Sequence, residues 1–152
     1  MPLLGEKISG VLLYMIPWAD SLPLGNHLYI KYPFTQIIQI PAIPIILLER
    51  SIPFGNLLLF LAIFIGIVRN NKVSYFLRFN ALQCLLINIG VIIISFIFDI
   101  LFNPFASSLI IRTFSSTLLL SLFCMISYCV WSFIQGDEPN LEGISQATKM
   151  QL

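Results

Sequence analysis

The stretch FNALQCLLINIGVIIISFIFDILF, residues 79–102, decides what class of protein this is. It carries one charge, Asp99, near its far end. At about 1.5 Å per helical residue it is long enough to cross the roughly 30 Å hydrocarbon layer of a bilayer. Working outward, Thr113 to Gln135 is uncharged throughout, and so is Ile52 to Val68, which covers roughly 25 Å as a short crossing. The chain has 152 residues, 58% hydrophobic and 10% charged, with a mean hydropathy of +0.93. A soluble domain carries roughly 25% charged residues. The expectation is an all-α polytopic integral membrane protein, with a single membrane domain over 1–135 and a short polar tail over 136–152.

The N-terminal third reads less simply. Ile8 to Ile30 is apolar except for Asp20 and His27, and Pro17 and Pro23 interrupt it. A charge at the centre of a span costs about 2.5–3.5 kcal/mol. Asp20 is therefore expected at a membrane face, ending a short, Pro-kinked stretch Ile8 to Ala19 within a first span near 8–24. Residues 32–48 contain Pro33, Pro41 and Pro44, each lacking an N–H. That segment reads as interfacial or re-entrant, with its freed carbonyls facing other helices. Four spans result, near 8–24, 52–68, 79–102 and 113–135, with both termini on one side. Lys7, Arg69, Lys72, Arg78 and Lys149 fall on that side, against Lys31, Arg50 and Arg112. The excess of positive charge places the termini inside; if 32–48 also crosses, the N-terminus flips.

Between these spans one pattern occurs twice. SLPLGNHLY (Ser21 to Tyr29) returns as SIPFGNLLL (Ser51 to Leu59). Ser-x-Pro is read as a helix start, with serine capping free N–H groups and proline in a turn that needs no donor. The following Gly-Asn can bring backbone close to a neighbour.

Several functions are excluded by what the chain lacks. A net charge of +1 gives no field for nucleic acid. Cys84, Cys124 and Cys129 form no CxxC pair and lie in apolar runs, where a thiol acts as a small hydrophobe. His27 is the single histidine, and no phosphate-binding loop, HExxH or GxSxG is present. Asp20, Glu49 and Asp99 fall near span ends. No catalytic, cofactor-binding or metal-binding residue is assigned, and no enzyme is expected. The N-terminal MPLLGEKISG has neither a basic n-region nor a small-residue cleavage site. The expectation is a chain made where it works, or one already freed of a leader.

Polar residues inside the spans are the informative feature. Asn80, Cys84, Asn88, Ser95 and Asp99 share one face of the third span, and Thr113, Thr117, Ser121, Cys124, Tyr128 and Gln135 one face of the fourth. Polar side chains facing lipid are costly, so both stripes should face protein or water. One reading is helix packing. The other is a mildly polar path between the two helices, formed by Asn80, Cys84, Asn88, Ser95, Thr117, Ser121, Cys124 and Tyr128, with no charged ring to select ions. Arg78 sits at the unfavourable, positive end of its helix dipole, so it either snorkels to headgroups or is held by a partner.

RFNALQ (Arg78 to Gln83), preceded by VRNNKVSYF (Val68 to Phe76), resembles the central motif of the twenty-kilodalton Tic subunit family. YMIPWADSLPLGN (Tyr14 to Asn26), YPFTQIIQIPAIPI (Tyr32 to Ile45), SIPFGN (Ser51 to Asn56) and ISQATKMQL (Ile144 to Leu152) resemble family positions in the same order. The family motif maps to Arg78, Phe79, Asn80 and Gln83. The resemblance implies a four-helix core subunit of the protein-import translocon at the chloroplast inner envelope, in a plastid-encoded or cyanobacterial-type form, with both termini in the stroma. A cyanobacterial source would place it in the plasma membrane. The implied partners are other Tic subunits, through them the outer-envelope Toc machinery, precursor polypeptides and the bilayer, with no cofactor. The sequence departs at Asn88, where an acidic residue is expected. A non-conducting scaffold and a small-molecule carrier are the alternative functions; a carrier would need paired inverted repeats, and only the PxGN stretches repeat.

Overall fold

The computed structural model describes residues 4–102 and 108–152. The expected N-terminal stretch 1–10 and membrane domain 1–135 therefore lie partly outside the described residues. The chain runs as α1 (Leu4–Ser21), a 3-10 turn (Leu22–Gly25), α2 (Asn26–Lys31), a longer 3-10 segment (Pro33–Ala42), α3 (Ile43–Ser51), α4 (Gly55–Ile63) with a π-helical end (Phe64–Val68), α5 (Tyr75–Phe102), α6 (Leu109–Gln135) and α7 (Ile144–Gln151). Among the described residues there is no strand. The protein is an all-helical membrane protein.

Two helices, Tyr75–Leu101 and Leu109–Gln135, are long and apolar enough to cross a bilayer. Pro33–Ser51 and Gly55–Val68 meet at 108° and make a third crossing only if the bent pair is one span. α1 is not among them, because Glu6, Lys7 and Asp20 break its apolar run. The bend has a local cause. Phe54 adopts the left-handed conformation (φ 59°), and Gly55 follows so close to the Glu49 carbonyl that a Cβ would meet it. The expected span start at Ile52 thus moves to Gly55.

α1 is the centre of the molecule. Leu13, Tyr14, Ile16, Trp18 and Ala19 are buried, with α5 and α6 both packed against α1. Lipid tails are as apolar as leucine, so close packing and hydrogen bonds hold such helices together more than burial does. The Phe133 ring of α6 occupies the space above Gly10 and stacks on Phe76 of α5 at 5.0 Å. Ser115 of α6 donates to the Leu24 carbonyl beyond the end of α1. Trp18 Nε1 donates to the Ile38 carbonyl at 3.1 Å, pinning the Pro-rich segment to α1.

The serines of the repeated pattern do not act as N-caps. Ser21 and Ser51 close α1 and α3, and their hydroxyls donate backwards, to Trp18 O at 2.7 Å and Leu47 O at 2.6 Å. Serine back-bonding to an earlier carbonyl competes with capping. Pro23 and Pro53 follow because a chain that has left its helix needs no N–H there.

Candidate functional site

The start of α5 gathers the motif residues. Ser74 caps the helix, with the Leu77 amide donating to its hydroxyl at 3.4 Å. α5 therefore begins at Tyr75, before the expected Phe79. Arg78 has a protein partner: its Nε donates at 2.8 Å to the Val68 carbonyl, at the π-helical end of the preceding helix. A cation at a helix C-terminus is electrostatically favoured, which offsets its place in the first turns of α5. Asn80 is fully buried, donating to Phe76 O at 2.8 Å and accepting from the Tyr14 hydroxyl at 3.0 Å. Gln83, also fully buried, donates to Pro139 O at 3.3 Å.

Ser145 donates to the same Pro139 carbonyl at 2.9 Å, and Thr148 of α7 is fully buried. The polar tail is therefore folded against the start of α5. Lys149 lies 5.9 Å from the Phe79 ring centroid and pairs with Glu138 at 3.6 Å, an exposed contact of small energetic weight. Arg78, Asn80 and Gln83 tie the end of α4, α1 and the C-terminal segment to one helix.

The polar stripe continues the same work one and two turns on. Pro17 has no N–H to offer the Leu13 carbonyl four residues earlier, and the Cys84 thiol donates to that carbonyl at 2.8 Å. Asp20 accepts from Asn56 Nδ2 at 2.7 Å, with Asn88 as a second amide partner. Asn80, Cys84 and Asn88 each answer a polar demand of α1. Ser95 is half-buried further along, with its Oγ unpartnered.

The α6 stripe is disposed differently. Thr113, Thr117, Ser121, Cys124, Tyr128 and Gln135 are all exposed, whereas Ser115, Leu119, Ile126, Cys129, Ser132 and Phe133 form the buried face. The two stripes are not brought together, because α5 and α6 each spend their main contact on α1. Thr113 and Thr117 donate to Leu109 O and Thr113 O, both at 2.9 Å. Hydroxyls satisfied by their own helix do not require a protein partner across the bilayer.

A polar cavity of about 330 Å³, absent from the sequence reading, lies where α1, α2, the Pro-rich segment and α3 meet. Asp20, Tyr29, Gln39 and Glu49 are among its lining. Its carboxylates stand 29 residues apart in the sequence, and the packing of α3 against α1 brings Glu49 to the same cavity as Asp20. Glu49 precedes the stretch read as a span. Burial, with the Asp20 carboxylate beside it, pushes the Glu49 carboxyl up to about 7.

Comparison with known proteins bears on this whole arrangement. A family model described as "Chloroplast import apparatus Tic20-like" matches residues 7–148. The chain belongs to the Tic20 family. It is similar to "Tic20 family protein" of Synechocystis sp., 28% identical over 148 residues that cover 97% of this chain and 92% of that protein. It is also similar to "Protein TIC 20-II, chloroplastic" of Arabidopsis thaliana, 26% identical over 152 residues, covering 97% of this chain and 72% of the relative. "Tic20 family protein Ycf60" of Gracilaria tenuistipitata var. liui is 26% identical over 153 residues, with 97% and 75% covered. The match takes in Arg78 to Gln83 together with most of α1 and of α7.

Proposed function

We propose that this Tic20-family chain is a membrane subunit of the chloroplast protein-import machinery and contributes to the path of precursor proteins across the inner envelope. The observation that carries this reading is the family match over residues 7–148. The topology we propose has a single membrane domain over 1–135, with spans near 8–24, 52–68, 79–102 and 113–135. Residues 32–48 lie along or dip into the interface, and both termini are stromal. In a cyanobacterial cell the same protein would sit in the plasma membrane. Other Tic subunits, the Toc machinery through them, and precursor polypeptides are the proposed partners. No catalytic step is assigned to the chain.

Mechanistically, the reading divides labour between the helices. The α1–α5 hydrogen bonds make a fixed body, since Asn80, Cys84 and Asn88 are engaged within the fold. The outward face of α6, with Thr117, Ser121, Cys124 and Tyr128, is the side offered to a passing chain or a neighbouring subunit. Hydroxyls and a phenol can meet the backbone of an extended polypeptide without selecting its sequence. A scaffold that conducts nothing is the second reading, favoured by how much of the α5 stripe is spent on packing. Co-purification from native membranes carrying an arrested precursor tests the proposal. Recovery of the precursor together with translocon subunits is expected; recovery of neither contradicts it.

A further inference from the structure

The polar cavity offers more acceptors than its own walls use. Asp20, Asn26, Tyr29, Gln39, Glu49 and Arg50 line it. Three buried oxygens in or beside it have no hydrogen-bond partner: the Tyr29 hydroxyl, Glu49 Oε1 and Asn88 Oδ1. Tyr29 is only 5% exposed and Asn88 1%. A carboxylate oxygen and an amide carbonyl can only accept, and a phenol can do either. Arg50 lines the same space yet makes no ion pair with Asp20 or Glu49 among the described residues. Liquid water takes about 30 Å³ per molecule, so the volume holds a small cationic head and a few waters.

We propose that this cavity binds a primary ammonium or guanidinium group, held by the carboxylates of Asp20 and Glu49 and by the Tyr29 hydroxyl. Such a group brings only donors and positive charge, which matches unpaired acceptors beside two carboxylates. The chemistry is shared by lysine or arginine side chains of a polypeptide and by free small amines. The inference does not rest on the translocon reading.

The test uses the full chain in lipid nanodiscs, titrated with n-butylammonium and n-butylguanidinium, with n-butanol as the uncharged comparison. Thermal unfolding and the fluorescence of Trp18, which adjoins the cavity-lining Ala19 and Asp20, report binding. Saturable stabilisation by the cations and none by butanol is expected. Glu49→Gln and Asp20→Asn should each weaken binding by about tenfold or more, as loss of a charge-assisted contact does. Should Asp20→Asn fail to fold, Glu49→Gln decides alone, because Glu49 is half-exposed. Equal binding by wild type and Glu49→Gln, or an equal response to butanol, overturns the proposal. A pentapeptide with a central lysine, compared with its norleucine twin, separates the sources. Lysine-dependent binding assigns the site to polypeptide side chains, and binding of free amines alone assigns it to small amines. Failure of both overturns it.

Discussion

The Cys84 thiol donates to the Leu13 carbonyl at 2.8 Å, the acceptor that Pro17 leaves without its helical partner. A proline in one helix and a cysteine in another are thus two halves of one hydrogen bond. Cys84→Val removes the donor and adds a methyl group to a fully buried site, so it should cost at least about 1–2 kcal/mol. Pro17→Ala restores the missing N–H, and adding it to Cys84→Val should recover most of the loss. Thermal unfolding of the four proteins of this cycle measures the coupling; additive losses would show that the thiol serves only as filling.

Tyr14 and Asn80 form the neighbouring contact, buried on both sides. Tyr14→Phe leaves Asn80 Oδ1 without its donor and should destabilise by about 1–3 kcal/mol. Tyr14→Phe combined with Asn80→Leu should cost less than the two changes summed. Unfolding midpoints of the two single variants and the pair test this.

Gly55 and Gly66 lie on the same helical stretch in opposite situations. A Cβ at Gly55 meets the Glu49 backbone, while one at Gly66 meets nothing within 4 Å. Gly55→Ala should cost about 1–3 kcal/mol and open the 108° bend, since backbone cannot yield as a side chain does. Gly66→Ala should be neutral or slightly stabilising. Limited proteolysis between α3 and α4, together with melting curves, separates the two.

The raised Glu49 carboxyl predicts a pH dependence with a definite sign. Folding favours its protonated form, moving it from 4.5 to about 7. Stability from this group is therefore fully present below about pH 4.5 and declines as pH rises through 7. Asp20 and Arg50 share the cavity and set the field in which it titrates. Glu49→Gln should flatten the fall in unfolding midpoint between pH 4.5 and 7.5. An unchanged slope would assign the titration elsewhere.

The sequence showed α5 and α6 plainly because their apolar runs are long and unbroken. It hid the role of α1, whose charges and proline weaken its own signal while its partners lie far along the chain. No local pattern announces that Cys84 answers Pro17 or that Asn56 answers Asp20. Arg78 was legible as a residue in an awkward place but not as one held by the Val68 carbonyl, because that contact depends on how the π-helical end of α4 returns. The two polar stripes lie differently: Asn80, Cys84 and Asn88 are buried, while Asp99 and the α6 stripe residues are exposed. Their direction was not readable, since Thr113 and Thr117 satisfy their hydroxyls within α6 and so can face outward. The cavity has no local signature for a related reason: its carboxylates come together only through the packing of α3 against α1.

The most direct test of the account places single cysteines, in a background without the native three, at Ser121, Asn88 and Ile93, and crosslinks each to a precursor arrested during import. Ser121 is exposed on the polar face of α6, Asn88 is buried against α1, and Ile93 is 52% exposed on α5. The account predicts crosslinks at Ser121, with Asn88 and Ile93 silent. Crosslinking at Asn88, or equal crosslinking at Ser121 and Ile93, would contradict it.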